Sequence, residues 1–234
     1  MPAATKPDGP TFPLTPRELY DGYSAGAFVW PGMSGERQWF VPLNRTLLPI
    51  TGLHVSRSLA RTMRSGRYEV RFDTDLLGVM RGCTRPDGSW ITPELVETYT
   101  GLHPDGGVHS AEAWDEHGLA GGVYGLAIGG CFFAESMFHR REAPIGTDAG
   151  KIALAALVDR CRAMGFALVD TQLTTEHLLT LGAYTLPLEE FARRLAEAYA
   201  RTTPWGVRPT MTPGIPALFA FADRYGLPLY QVAE

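Results

Sequence analysis

The chain has 234 residues, of which 45% are hydrophobic and 20% charged, and its formal net charge is -4. This composition is typical of a globular protein and excludes a fibrous or intrinsically disordered one, and no apolar run is long enough for a membrane span. The opening stretch MPAATKPDGPTFP has one lysine and no apolar run, so we expect no secretory signal and a cytoplasmic location.

The N-terminal part of the chain predicts one helix followed by short extended pieces. Thr15, Pro16 and Glu18 form the pattern of an N-cap, a first-turn proline and a capping-box partner. Gly26 is placed to end this helix. The pieces AFVWPG, RQWFVP and LLP that follow are typical of turns and short edge strands. We therefore predict a small N-terminal subdomain over residues 1–48.

The next segment, SRSLARTMRSGRYEVRF, concentrates positive charge. With Ser56 as the N-cap, three arginines share one face of a helix and a fourth follows it. These residues are Arg57, Arg61, Arg64 and Arg67. Such a face suits phosphate groups, but the sequence by itself favours a solvated surface.

A second set of elements follows the arginine-rich helix. The pattern predicts a strand near residues 68–72, a short helix from Asp73 and a helix with Thr92 as its N-cap. Three β-type runs then follow one another, GVHSAEAW, LAGGVYGLAIGG and CFFAESMF, as in an antiparallel meander. A helix capped by Thr147 or Asp148 precedes the strand FALVDTQ.

This order of elements predicts the fold class. A mixed, mostly antiparallel sheet flanked by helices makes an α+β domain of the N-acyltransferase (GNAT-like) kind, which we place over residues 49–203. Residues 204–234 show no assignable pattern, and we treat them as a C-terminal extension of unknown role.

The strand FALVDTQ carries an acid and an amide near its end. Period-two geometry places Asp170 and Gln172 on one face and Val169 and Thr171 on the other. Unpaired burial of such groups costs about 1–3 kcal/mol each, so both need hydrogen-bond partners. They either hold the following turn or take part in chemistry, and the sequence leaves both explanations open.

The last run of the meander supplies a second carboxylate, Glu135. Strict alternation predicts that it shares a face with two apolar residues, and that its immediate neighbours face the other way. The first face holds Phe133, Glu135 and Met137, and the second holds Phe132, Ala134, Ser136 and Phe138.

Five segments together carry a family resemblance. In chain order they are GSWITPELVETYTGLH, GGVHSAEAW, GGVYGLAIGGCFFAESMF, KIALAALV and LVDTQLTTEHLLTLGA. They resemble the bacterial leucyl/phenylalanyl-tRNA–protein transferases from about Leu14 to Ala200. The combination of SWIT, ESMF, DxQ and HLxxLGA is more specific than any single piece. Val29, Gly150 and Thr171 depart from the family pattern, which has proline, serine and cysteine there.

The resemblance implies a two-domain protein whose larger domain is acetyltransferase-like. It implies transfer of Leu or Phe, and less well Met, from aminoacyl-tRNA to the α-amine of proteins that begin with Arg or Lys, which marks them for degradation. We expect a monomer that needs no membrane and no cofactor. We also expect no metal, because the three cysteines are scattered and no HExxH motif is present.

The implied reaction needs positioning more than covalent catalysis. Aminoacyl-tRNA is an activated ester, and a protein α-amine with a pKa near ~8 is already partly neutral at cytosolic pH. The protein must hold ester and amine together and stabilise the developing oxyanion. Our hypothesis is that Gln172 contacts the amine or ester and that Asp170 polarises it or accepts the proton. Glu135 is assigned to positioning, through the acceptor amine or through the pair.

By resemblance, further residues bind the donor. Aromatic and meander side chains line the site of the aminoacyl-adenosine, where stacking is worth about 1–3 kcal/mol per base. This set is Trp30, Trp90, Tyr23, Tyr99, Val123, Phe132 and Ser136. A tryptophan taken by itself is more often a core residue. The resemblance also makes the arginine-rich helix a contact for the tRNA backbone.

Three rival functions stay open at this point. The fold allows an acyl-CoA-dependent N-acetyltransferase, although REAPIGTDAGK matches the Gly-rich pyrophosphate turn of such enzymes poorly. A catalytically inactive RNA-binding module would keep the tRNA surface without transfer. A sister transferase that accepts acidic N-termini is the third; the motifs argue against it, but acceptor choice is not legible in the sequence.

Overall fold

The structure is a computed structural model that describes residues 15–31, 37–84, 91–103, 106–140 and 148–225. The predicted N-terminal tip, Trp90 and Thr147 lie outside these residues. None of the helices within these ranges combines the length and the apolarity that crossing a bilayer requires.

Nine strands are formed by the described residues. In chain order they are β1 (Phe28–Pro31), β2 (Arg37–Phe40), β3 (Asn44–Leu48), β4 (Glu69–Phe72), β5 (Val108–Asp115), β6 (Gly118–Ile128), β7 (Cys131–His139), β8 (Leu168–Gln172) and β9 (Tyr184–Pro187). The three runs of the predicted meander are β5, β6 and β7, and the strand with the acid and the amide is β8.

The described ranges also form eight helices. They are α1 (Pro16–Ala25), α2 (Arg57–Arg64), α3 (Leu76–Cys83), α4 (Pro93–Leu102), α5 (Ala149–Ala163), α6 (Glu176–Thr180), α7 (Leu188–Tyr199) and α8 (Ile215–Tyr225). The arginine-rich helix of the sequence is α2.

Side-chain caps confirm three of the predicted helix starts. The Thr15 hydroxyl accepts the Glu18 N–H at 3.2 Å, and the Glu18 carboxylate accepts the Thr15 N–H at 2.8 Å, which is a complete capping box. Ser56 and Thr92 cap α2 and α4 through their hydroxyl oxygens. Asp148 precedes α5 but makes no side-chain cap bond, and the helix predicted from Asp73 begins at Leu76 with Asp75 as its N-cap. The first helix ends at Gly26, whose φ of 99° is the left-handed conformation that glycine adopts readily.

Seven strands form one mixed sheet, in the order β4-β5-β6-β7-β8-β3-β9. All neighbours in it are antiparallel except β7 and β8, which are parallel. The strands β1 and β2 form a separate antiparallel pair. The fold is therefore α+β, with a mixed, mostly antiparallel sheet flanked by helices, as the sequence predicts.

The sheet buries a different core on each face. On one face, Leu126, Phe133 and Leu168 pack with residues of α1, α3, α4 and α7; we call this the α1 face. On the other, Phe132 and Val169 pack with residues of α2 and α5; we call this the α5 face. Successive strand residues alternate between the two cores because side chains of a strand point to opposite sides.

The strand β3 is an inner strand of the large sheet, between β8 and β9. The sequence assigned this region to short edge pieces of an N-terminal subdomain. Its pairing with β8 joins residues far apart in the chain, such as Thr46 and Gln172, so no local pattern reveals it. The predicted boundary at residue 48 coincides with the end of a strand of the large sheet, and the division into subdomains stays a prediction.

The described part of the C-terminal extension packs on the rest of the chain. The Val207 carbonyl accepts the Gly129 N–H at 2.8 Å, next to the β6–β7 turn. Trp205 is buried and stacks on His109, with 4.3 Å between ring centroids. Helix α8 contributes Leu218 and Phe221 to a small core beside the end of α1.

A β-bulge in β7 changes which residues share a face. Tyr124 on β6 is opposite Ser136, and the next pair is Gly125 with Ala134, so Glu135 has no partner across the ladder. Glycine is required at 125 because a Cβ there would collide with the carbonyl oxygen of Phe133.

The predicted alternation along β7 therefore holds only up to Glu135. Beyond the bulge, Met137 packs with the α5-face core and Phe138 with the α1-face core, the reverse of the prediction. Strict alternation was wrong for these two residues and for Ser136, which is opposite Tyr124 of the α1-face core, because the extra residue shifts the register by one.

Candidate active site

The acid at the end of β8, Asp170, is completely buried and paired with an arginine from β3. Nε of Arg45 donates to Oδ1 and Oδ2 of Asp170 at 2.9 and 2.8 Å, and Nη2 donates to Oδ2 at 2.6 Å. Both side chains have 0% exposure. Asp170 therefore cannot touch a substrate directly, and its charge is matched inside the core.

The guanidinium of Arg45 is held on every side. Its Nη1 donates to the carbonyl oxygen of Gly26 at 3.0 Å, where α1 ends. The rings of Phe28 and Phe191 lie over it, each with its centroid 4.7 Å from Cζ. Removing one member of such a buried pair leaves an uncompensated charge and typically costs about 3–5 kcal/mol.

Gln172 ends β8 in an unusual backbone conformation. Its φ is 62°, in the left-handed region that residues with a side chain seldom enter, at a typical cost of about 1–3 kcal/mol. Its N–H donates to Oδ1 of Asp170 at 2.8 Å, which stabilises this turn. The amide nitrogen of its side chain is oriented to donate to the carbonyl oxygens of Ala134 at 3.0 Å and Thr171 at 3.1 Å.

These contacts put Gln172 at a gap between β7 and β8. The last residue pair between the two parallel strands is Phe133 with Asp170. Beyond it β7 continues to His139 alongside β6, whereas β8 ends. The residues that border this gap, which we call the β7–β8 gap, are Glu135 and Ser136 on β7 and Gln172 on β8.

Glu135 is in a very different environment from Asp170. The residue is partly exposed, but its Oε1 atom is buried and has no hydrogen-bond partner among the described residues. Burial raises the pKa of Glu135 to about 8, and the neighbouring hydroxyls of Tyr23 and Tyr99 offset this shift only in part. A carboxylate in this state gains most from a cation that binds beside it.

Three buried tyrosines surround this carboxylate on the α1 face. The hydroxyl oxygens of Tyr23 and Tyr99 are 3.3 Å apart, and the rings of Tyr99 and Tyr124 meet edge to face with 5.6 Å between centroids. The hydroxyl of Tyr124 is buried without a hydrogen-bond partner in the described part of the chain. Burial first, and then the Glu135 charge, raise the pKa of Tyr23 and Tyr99, so both stay neutral hydroxyls.

The other predicted donor-site residues are distributed over both faces of the sheet. Trp30 is partly buried against the α1-face core, with its ring edge to face with Phe28. Val123 and Phe132 are buried in the α5-face core. Ser136 is partly exposed at the β7–β8 gap. The structure thus places Tyr23 and Tyr99 beside Glu135 on the α1 face, whereas Val123 and Phe132 are on the α5 face.

The predicted phosphate contacts lie on an exposed helix. Arg57, Arg61 and Arg64 of α2 are exposed, and this helix contains no acidic residue. Arg67, just after it, is exposed as well. Leu59 is the buried residue of α2, and the Thr62 hydroxyl donates to Oδ2 of Asp148 at 2.8 Å, which fixes α2 to the start of α5.

Sequence reasoning missed Arg45. An arginine within NRTLLP looks like a surface residue of a loop, and only its pairing with β8 reveals the buried charge. Its neighbours Asn44 and Thr46 are polar and give no signal, and the one indication in the sequence is that a buried acid such as Asp170 needs a cationic partner. No group of three or more His, Cys, Asp or Glu that could hold a metal occurs among the residues that the structure describes.

The geometry defines a class of enzyme. The amide of Gln172 reaches the backbone of β7 at Ala134, the residue before the carboxylate of Glu135, whereas the three cysteines are all buried. Such a site is suited to hold two substrates against each other rather than to form a covalent intermediate, as in an acyl transferase that works by positioning.

A family profile and individual relatives all indicate the same family for this chain. The sequence profile of the family described as leucyl/phenylalanyl-tRNA protein transferase matches residues 47–196. The leucyl/phenylalanyl-tRNA–protein transferase of Ruegeria pomeroyi is 48% identical over 187 residues, which cover 79% of this chain and 87% of that protein. The enzyme of the same name from Rubrobacter xylanophilus is 45% identical over 186 residues, covering 79% and 95%. The chain therefore belongs to the leucyl/phenylalanyl-tRNA–protein transferase family and is an aminoacyltransferase.

Among solved structures, a functionally unknown conserved protein from Staphylococcus epidermidis is similar with a TM-score of 0.41 and 12% identity. The similarity covers 62% of this chain and 57% of that one. It is too low to bear on the assignment.

Proposed function

We propose that this enzyme transfers Leu or Phe, and less well Met, from aminoacyl-tRNA to the α-amine of proteins that begin with Arg or Lys. The amine nitrogen bonds to the ester carbonyl carbon, the bond to the ribose oxygen breaks, and the amine proton leaves with that oxygen as a hydroxyl group. The new peptide bond marks the acceptor for degradation. The names of the relatives support the donor and the class of reaction.

One observation carries the proposal at the level of the site: the side-chain amide of Gln172 on β8 reaches the backbone of β7 at Ala134, next to Glu135, where the two strands separate. In this proposal the ester lies at the gap, and the side chain of Gln172 hydrogen-bonds to the reacting amine or ester. The left-handed backbone of Gln172 supports a functional role, because such strain persists where surrounding contacts enforce it.

The proposal gives Asp170 a positioning role. A fully buried carboxylate that already accepts three bonds from Arg45 is poorly placed to take a proton from a substrate. It accepts the backbone N–H of Gln172 and so fixes the direction of that side chain. Of the two roles that the sequence left open for Asp170, this geometry supports polarising and orienting Gln172.

Glu135 would receive the cationic end of the acceptor. Its buried Oε1 lacks a partner among the described residues, and a protein that begins with Arg or Lys brings a cation to its first residue. The attraction between opposite charges is strong where water is scarce. An acidic first residue would bring Glu135 no cation, which argues against a sister transferase for acidic N-termini.

The donor would be bound by stacking and by an apolar pocket. Trp30 and Trp90 would stack on the terminal adenosine, and Ser136 would contact the aminoacyl group at the β7–β8 gap. Tyr23 and Tyr99 in the α1-face core and Val123 and Phe132 in the α5-face core have at most 1% exposure, so their contact with the donor requires a local opening of the site. An apolar pocket discriminates weakly between side chains of similar size, which supports acceptance of Met.

The arginines of α2 would contact the tRNA backbone. Replacing Arg57, Arg61 and Arg64 together by alanine should weaken binding of charged tRNA and lower the slope of log K against log salt by about 0.7–0.9 for each lost phosphate contact. Arg193→Ala is the control, because this exposed arginine is already paired with Glu190 on α7. An unchanged slope in the triple variant would assign the tRNA surface elsewhere.

The finer fold description belongs to this proposal too. The parallel pair β7 and β8, which separates inside an otherwise antiparallel sheet, supports a GNAT-like arrangement of the larger domain. A small N-terminal subdomain, a monomeric state and a cytoplasmic location, where charged tRNA is found, complete it. An acyl-CoA-dependent N-acetyltransferase is the alternative on the same fold.

The decisive experiment is a transfer assay. Peptides beginning with Arg, Lys, Asp or Glu are offered with Leu-, Phe- or Met-tRNA, and with acetyl-CoA in a parallel reaction. We expect Leu and Phe to move to Arg- and Lys-initiated peptides and acetyl-CoA to give no product. Acetylation, or transfer to acidic N-termini only, would overturn the proposal.

A further inference from the structure

Arg45 contacts two elements that carry different parts of the site. Nε and Nη2 bind Asp170 on β8, and Nη1 binds the carbonyl oxygen of Gly26 at the end of α1. The first contact fixes the strand end that presents Gln172. The second fixes the end of the helix that presents Tyr23.

Strand β8 and helix α1 contribute side chains to different sides of the proposed site. Gln172 borders the β7–β8 gap from β8, whereas the hydroxyl of Tyr23 lies with that of Tyr99 beside Glu135 on β7. A shift of α1 relative to β8 would change the distance between the amide and the tyrosine–carboxylate cluster. A misplacement of about 1 Å at such a site can reduce a rate about 100-fold.

The fork shape of the guanidinium is what permits both contacts. Its planar nitrogens point in fixed directions, and the hydrogen bonds to Asp170 and Gly26 set the orientation of the plane, while the rings of Phe28 and Phe191 pack against it. A lysine ammonium would keep the charge and one bond to Asp170 but could not reach Gly26 with the same geometry. Arg45 is therefore more than a neutralising charge.

We propose that Arg45 is a positioning residue that fixes the end of α1 relative to β8. Gln172 and Glu135 can then contact the ester and the amine of the same reacting pair. This inference rests on the proposed function. It assigns a role in the reaction to a residue that itself touches no substrate.

The test compares Arg45→Lys with Phe191→Leu in leucine transfer from Leu-tRNA to an Arg-initiated peptide. Phe191→Leu loosens the packing on the guanidinium but keeps its hydrogen bonds, so it is the matched control for lost stability. For Arg45→Lys we expect kcat to fall between about tenfold and 100-fold while KM for Leu-tRNA changes by less than about threefold. For Phe191→Leu at a temperature with the same folded fraction, kcat should stay within about twofold of wild type.

Hydrogen exchange supplies a readout that does not depend on activity. Arg45→Lys should lose protection at the N–H of Gln172, bonded to Asp170, and at the N–H of Ala27, bonded to Gly22 at the end of α1. Phe191→Leu should keep the wild-type protection at both of these N–H groups.

The outcomes separate the two proposals. If wild type transfers no leucine, the proposed function fails, and the exchange pattern still decides whether Arg45 holds both elements. The inference is overturned if Arg45→Lys keeps the wild-type kcat, if Phe191→Leu loses as much kcat as Arg45→Lys, or if both sites keep their protection in Arg45→Lys.

Discussion

Asp170 and Glu135 lie on the same face of the sheet, on adjacent strands, yet they are opposite kinds of buried carboxylate. Asp170 accepts three hydrogen bonds from Arg45 and one from the backbone of Gln172. Glu135 is at a bulge, and its buried Oε1 has no partner within the described residues. One carboxylate is fully satisfied by the fold, and the other is left for a ligand.

This difference distinguishes a buried carboxylate that stabilises the fold from one that is available to bind a ligand. A buried charge with a complete set of partners stabilises one geometry and gains nothing from a substrate. A buried acid with one unpaired oxygen lowers the stability of the free protein and recovers that free energy when a cation binds. The predictions below change one carboxylate or its neighbours and compare the result with the other.

The largest effect is expected for Asp170→Asn. The substitution leaves the Arg45 cation buried without its counter-charge, so unfolding free energy should fall by about 3 kcal/mol and the transfer rate by at least about 100-fold. Urea unfolding and single-turnover transfer measure the two losses. Asp159→Asn removes an exposed ion pair with Arg162 and should change stability by less than about 0.5 kcal/mol. Equal stabilities for Asp170→Asn and wild type would show that the ion pair of Asp170 with Arg45 does not stabilise the fold.

Glu135→Gln should act in the opposite direction at high pH. Burial raises the pKa of Glu135 from 4.5 to about 8, so the folded protein keeps a proton that the unfolded chain has lost. The resulting stability is complete below about pH 4.5 and is lost as the pH rises through about 8. Between pH 6 and 9 this group should cost wild type about 3 kcal/mol that the Gln variant does not lose.

The measurement is urea unfolding at several pH values. Glu189→Gln, an exposed acid at the start of α7, is the control and should follow the wild-type curve. Parallel curves for wild type and Glu135→Gln would mean that this carboxyl titrates normally in the folded protein.

Acceptor binding should release a proton from Glu135. At pH 7 a carboxyl with a pKa of about 8 is mostly protonated, and a cation bound beside it favours the ionised form. Calorimetry of an Arg-initiated peptide in buffers of different ionisation enthalpy should show release of up to about one proton more than in Glu135→Gln. The same proton count in both proteins would exclude Glu135 from contact with the acceptor cation.

The smallest effect is expected at the tyrosines around Glu135. Tyr124→Phe removes a buried hydroxyl without a described partner, so stability should stay unchanged or rise by up to about 1 kcal/mol. Tyr99→Phe removes the bond to Tyr23 and should cost about 1 kcal/mol. If thermal unfolding shows the larger loss for Tyr124→Phe, its hydroxyl has a partner in solution.

Local rules predicted much of this fold. The caps at Thr15, Ser56 and Thr92 depend on residues within one helical turn, and the meander depends on neighbouring runs, so the sequence was sufficient for both. The candidate pair Asp170 and Gln172 was likewise visible as polarity at the end of an apolar strand.

Long-range pairing and register were not predictable in this way. The burial of Arg45 depends on β3 pairing with a strand 125 residues later, and nothing within NRTLLP signals it. The bulge at Glu135 reverses the faces of Met137 and Phe138, because one unpaired residue changes the alternation for the rest of the strand. Gly125, which the bulge requires, gave no readable signal in a segment that already contains several glycines.

The central claim is that aminoacyl transfer takes place at the β7–β8 gap through Gln172. It is tested most directly by the single-turnover rate of leucine transfer from saturating Leu-tRNA to an Arg-initiated peptide, for wild type and for Gln172→Ala. We predict a rate at least about 100-fold lower in the variant, with an unchanged dissociation constant for Leu-tRNA. A variant that transfers leucine as fast as wild type would contradict the account.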